Sequence, residues 1–171
     1  MNSSHASTML RDHQSARRDS VPARAAQLLA RGPARMKSPS ARWAVNVLAV
    51  AGAALMVWSG VIHLQLWSDG YRSISVIGPL FLAQGIGSIA LAAVLAVFRR
   101  VVLMAAGAVT MAATAAGLLL SAGIGLFGFR ESLAVPNAMS SLVVEFASAA
   151  VLAAAAAILL AARPGPRPVR R

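Results

Sequence analysis

The chain has 171 residues, 58% of them hydrophobic, 12% charged and none of them cysteine. A soluble domain carries about a quarter charged residues, so this balance is wrong for a water-soluble globule. The missing cysteine excludes disulfide staples, Cys-ligated zinc, iron–sulfur sites and dithiol redox relays. Sixteen Lys+Arg face five Asp+Glu for a net charge of +11, and the position of those bases decides what the charge means.

Residues 1–42 read as a disordered basic cytoplasmic tail, with Arg11, Arg17, Arg18, Arg24, Arg31, Arg35, Lys37 and Arg42 against Asp12 and Asp19. Large apolar side chains are too few there to offset the entropy of ordering. Val21–Arg31 has the pattern of a short amphipathic helix for anionic lipid. Arg17-Arg18 is not an export signal, because the apolar run begins some two dozen residues later and is too long. Met36, opening Met36-Lys37-Ser38-Pro39, reads as a natural alternative start.

Four apolar stretches follow, at about 43–67, 76–98, 101–129 and 139–162. Each exceeds or matches the ~20 residues that span a bilayer core. In lipid each must be a helix to satisfy its backbone, and no period-2 alternation suggests a barrel. The third run is long, so a tilt or a break near Gly123, Gly125 and Gly128 is expected. The predicted fold is therefore all-α: a four-helix transmembrane bundle with short hairpins. Small residues on every span favour close helix packing.

Fourteen of the sixteen bases fall in the leading tail, at Arg99-Arg100, or in the closing tail 163–171, which is also basic and cytoplasmic. By the positive-inside rule both termini are cytoplasmic in a multi-pass protein of the cell membrane. Loops 68–75 and 130–138 then face outward, carrying Asp69, Tyr71, Arg72, Arg130 and Glu131. This placement explains the charge as topology on anionic lipid and not as nucleic-acid contact. The partner implied is the lipid bilayer, with a homo-oligomer or a membrane complex as further expectations.

The outward loops echo each other. Leu66-Trp67, Gly70-Tyr71-Arg72 and Pro79 match Leu126-Phe127, Gly128-Phe129-Arg130 and Pro136. Either a two-helix hairpin is duplicated, with parallel repeats about the membrane normal, or independent interfacial preferences converge.

Three polar side chains inside the spans need explaining: His63, Gln84 and Glu145. At 1.5 Å per residue all three fall in the outer half of the bilayer. Each has hydroxyls on its own face: Ser59 for His63, Ser88 for Gln84, and Ser141 and Ser148 for Glu145, while the third span offers Ser121. An acid in a span costs about 3 kcal/mol at the centre, so Glu145 is expected to face the bundle. Two readings stand side by side: an outward-facing polar site for protons, a cation, a metal or a quinone, and a hydrogen-bonded clasp that sets helix register. For His63 snorkelling to the interface beside Trp67 is the plainer reading, and for Gln84 helix glue. No catalytic motif, nucleotide loop or paired carboxylates occur, and one membrane histidine cannot supply two haem ligands. The expectation is a non-enzymatic membrane component whose outward-facing polar site takes a partner, a lipid headgroup or a small ligand, with no cofactor and no metal.

The segments His63-Leu64-Gln65-Leu66-Trp67, Gly70-Tyr71-Arg72-Ser73-Ile74 and Ile77-Gly78-Pro79-Leu80-Phe81 resemble the small four-helix integral membrane proteins common in high-GC actinobacteria. That pattern has Pro where Ser75 stands here. The resemblance implies the four-span layout and no particular activity. A remoter similarity in layout to DoxX-like proteins implies an accessory subunit of a membrane redox complex, acting through partners since cysteine is absent. A small proton-coupled transporter with Glu145 as carrier residue is the other alternative.

Overall fold

A computed structural model describes residues 26–27, 31–134 and 137–162. The candidate amphipathic segment (apart from 26–27 and Arg31), the closing tail 163–171 and Pro136 of the second loop lie outside the described residues. Among those described, four long helices run in sequence: α1 (Pro39–Ser68), α2 (Ile77–Val97), α3 (Val101–Gly123) and α4 (Ala138–Ala161). All four are long and apolar enough to cross a membrane. Their outer faces expose Trp58, Ile86, Val109, Val143 and Phe146, an apolar surface that lipid accommodates and water does not. The protein is an integral, multi-pass membrane protein.

Local chemistry sets the helix ends. Ser38 caps α1, its side chain accepting from the Ala41 N–H at 3.3 Å, and Pro39 occupies the first turn. The ordered chain thus reaches back into the stretch assigned to the tail. Met36 is buried in the core, Arg31 accepts from the Val101 N–H at 2.8 Å, and the Arg31 guanidinium donates to the Leu160 carbonyl at 3.2 Å. These contacts hold the segment against the end of the bundle where α3 starts and α4 finishes.

The long third apolar run breaks near Gly123. Helix α3 stops at Gly123, and 124–129 turn tightly, with Gly125 and Gly128 at φ +84° and +78° and paired backbone bonds between Leu126 and Phe129 at 2.7 and 2.9 Å. Glycine takes that left-handed backbone without a Cβ penalty. Arg130 closes the break, donating to the Gly123 carbonyl at 2.7 Å and the Ala122 carbonyl at 3.3 Å. A cation there suits the free carbonyls and negative end of α3.

Helix α1 packs along α2 and along α4, and α4 packs along α3, whereas α2 and α3 touch only sparsely. Close approach of α1 and α2 depends on Gly60 and Gly85: a Cβ on Gly60 would meet the Gly85 carbonyl oxygen at 2.8 Å. Leu152 of α4 fills the space that Gly52 of α1 and Gly107 of α3 leave open. The buried apolar core (Val45, Met56, Leu95, Met104, Leu152, Leu159) occupies the half of the bundle nearer the termini. The half nearer the loops is hollow.

Candidate functional site

The polar residues of three spans meet in that hollow half. On α1, Ser59 and His63 are one turn apart and both buried. The His63 Nδ1 is 2.9 Å from the Ser59 carbonyl oxygen. A carbonyl only accepts, so Nδ1 carries the proton and Nε2 is left to face the site. Nε2 lies 3.8 Å from Oε1 of Glu145 on α4.

Glu145 has no surface open to solvent. Its Oε1 accepts from Ser141 Oγ at 2.7 Å and from Ser59 Oγ at 3.4 Å. Its Oε2 is buried without a hydrogen-bond partner. The two oxygens are thus unequal: Oε1 is saturated by donors, and Oε2 is the position for a proton or for an incoming donor.

His63 and Glu145 contribute to the wall of a cavity of about 490 Å³, within the range of small-molecule sites. Gln84 of α2 and Thr110, Thr114 and Ser121 of α3 line it too. The Gln84 amide donates to Ser88 Oγ at 3.0 Å. Most of the wall is apolar, including Leu66, Leu80, Leu118 and Leu126. Exposed lining residues Leu80 on α2 and Val109 and Ala113 on α3 mark its mouth, which lies in the sparse seam between those helices and faces lipid.

The two loops close the end of the cavity farther from the termini. Tyr71, in a short 3-10 turn (Tyr71–Ser73), donates to Glu131 Oε2 at 2.8 Å, while Glu131 Oε1 accepts from the Ser132 N–H at 3.0 Å. Burial, reinforced by the Glu131 carboxylate that accepts its proton, pushes the Tyr71 phenol well above its usual range. Tyr71 therefore stays a donor throughout the physiological range. Its ring stacks on Phe81 (centroids 4.8 Å apart) and meets Phe129 edge-on at 5.8 Å, and Phe81 also lies 5.1 Å from the His63 ring.

The arrangement brings together His63, Gln84 and Glu145, with Ser59 and Ser141 behind them. It does not bring in every residue expected. Ser148 lies off the cavity wall and donates to the Gly52 carbonyl at 3.3 Å, because Leu152 draws α1 and α4 together there. Ser88 acts through Gln84. Of the loop residues, Tyr71 and Glu131 line the cavity, Asp69 caps α1, Arg130 caps α3 and Arg72 is exposed. Sequence reasoning missed Phe81 and Phe129. A signal for one existed, since Tyr71 and Phe129 are matching positions of the two echoing loops and stand in contact. Among the described residues no three His, Asp or Glu side chains converge as metal ligands do.

Comparison with protein-family models, with curated proteins and with solved structures finds no match.

Proposed function

We propose that this membrane protein binds a small, mainly apolar molecule in the cavity between its four helices, with the polar group of that molecule directed to His63 and Glu145. The observation that carries the reading is Glu145 Oε2: a buried carboxylate oxygen without a partner, in the wall of a cavity large enough for a ligand. A group purely for helix register would have both oxygens satisfied, since an unpaired buried acceptor costs about 1–3 kcal/mol. The charge pattern supports an outward-facing site. Fourteen of sixteen bases lie in segments joining the core-packed end, which is then cytoplasmic, and the cavity occupies the outer half.

The test uses N-phenyl-1-naphthylamine, an apolar fluorophore with one N–H donor, on protein in neutral-lipid nanodiscs. Saturable fluorescence enhancement is expected. It should be lost in Gly117→Leu, which fills the cavity from α3 at a position where an added Cβ meets nothing within 4 Å. Identical saturable binding by both proteins would count against the reading.

A second reading, a small proton-coupled transporter with Glu145 as carrier residue, is favoured by the unpartnered Oε2 of a carboxylate whose other oxygen lies 3.8 Å from His63 Nε2. It requires that Glu145→Gln abolish uptake driven by a pH gradient in proteoliposomes while the chain still folds. Unchanged flux would sink it.

A further inference from the structure

We propose that the ligand is a lipophilic organic cation that enters from the bilayer between α2 and α3 and displaces the proton held by the His63–Glu145 pair. The proposal rests on the reading of the cavity as a ligand site, and three independent features carry it.

The first is charge. The chain has sixteen Lys+Arg and only five Asp+Glu, yet two of those five acids, Glu131 and Glu145, line the cavity. No Lys or Arg among the described residues lines it. Among the described residues, two carboxylates of this basic chain thus line the cavity and its guanidinium groups do not. In a wall of low dielectric such fixed charge selects strongly by sign.

The second is the aromatic lining. Tyr71, Phe81 and Phe129 cluster beside His63, and the negative faces of such rings attract ammonium and phosphonium groups once water is removed. An acid or a phosphate would find no Lys or Arg among the described lining residues to match its charge. The third is the mouth. It opens on lipid between Leu80 and Val109, and the apolar wall suits a body that partitions into the bilayer.

Proton bookkeeping follows from the hydrogen bonds. Nδ1–H is committed to the Ser59 carbonyl, so the pair has two places for one further proton, Nε2 and Oε2, and with that proton it is neutral overall. The groups facing it are Ser59 on α1, Gln84 on α2, Ser121 on α3, Ser141 on α4, and Tyr71 and Glu131 from the loops. Tyr71 does not ionise near neutral pH, so Glu131 is the other charge at hand. A cation settling beside the pair makes the extra proton unfavourable and sends it to solvent. The carboxylate then serves as counter-charge, with Ser59 and Ser141 still donating to Oε1.

The test compares tetraphenylphosphonium with tetraphenylborate, which share shape and differ in sign, on the full chain in phosphatidylcholine nanodiscs. Saturable phosphonium binding is expected, with the borate at least ~10-fold weaker. Phosphonium affinity should rise about tenfold per pH unit while the pair is protonated, by linkage of one proton to one cation. Glu145→Gln, checked for folding by circular dichroism, should weaken phosphonium at least ~10-fold and flatten the pH dependence. Equal binding of both ions, absence of saturable phosphonium binding, or an unaffected Glu145→Gln each overturns the proposal. If the neutral naphthylamine still binds and Gly117→Leu still removes it, the cation proposal fails and the cavity reading stands. If neither probe saturates, both fail.

Discussion

At the scale of single residues, Glu145 ties α1 to α4 through one oxygen and leaves the other open. Ser141 supplies the shorter of its two bonds, 2.7 Å against 3.4 Å for Ser59. Ser141→Ala is expected to lower stability by about 1–3 kcal/mol, read as a fall in the thermal midpoint in detergent. Ser148→Ala should cost less, since it gives up only a 3.3 Å bond to a carbonyl. Tyr71 yields a pH prediction. Its folded pKa lies above the ordinary 10.0, so its contribution is fully present below pH 10.0 and is lost as pH climbs through the higher folded value. Measured across that window, wild-type stability should decline and Tyr71→Phe should decline less. Glu145 itself was legible in the sequence, as the one acid inside a span. That its Oε2 is open was not, because hydrogen-bond satisfaction depends on which neighbours the other helices bring.

At the scale of helices, glycine sets how closely the elements approach. Gly60→Leu forces α1 from α2, since even its Cβ would meet the Gly85 carbonyl and Ile89 at 2.8 Å. A marked drop in midpoint is expected. Gly87→Ala is the control: its Cβ meets nothing within 4 Å, and the gain in helix propensity is worth about 0.5–1 kcal/mol. If both variants behaved alike, the packing argument would be wrong. The spans themselves were readable because apolar runs of that length with at most one charged residue have no other stable form in lipid. The stop at Gly123 was half-readable: glycines marked the place, but Arg130 reaching back to the freed carbonyls was not visible in the sequence. Small-residue stripes announced tight packing without saying which helix each would face.

At the scale of the molecule, the bundle is lopsided around its axis as well as along it. A duplicated hairpin would pair α2 with α3 as α1 pairs with α4, yet the first seam is sparse and the second continuous. Whatever the origin of the echoing loops, the difference between those seams is where the cavity opens. Depth arithmetic placed His63, Gln84 and Glu145 at one level, and they do line one cavity. The aromatic cluster escaped notice because rings from a turn, a helix and a second loop meet only through the fold. The absence of cysteine makes orientation simple to check. Ser132→Cys, in the exposed second loop, should react with a membrane-impermeant maleimide on intact cells, and Ser38→Cys only after permeabilisation; the reverse would invert the topology. Leu152 gives the lopsidedness a mechanical sense. Seated between Gly52 and Gly107, two turns along α4 from Glu145, it pins three helices at a single point. One side chain thus joins α1, α3 and α4 on the core-packed side of the cavity, and Leu152→Ala, which empties the space against both glycines, is expected to cost about 2–5 kcal/mol.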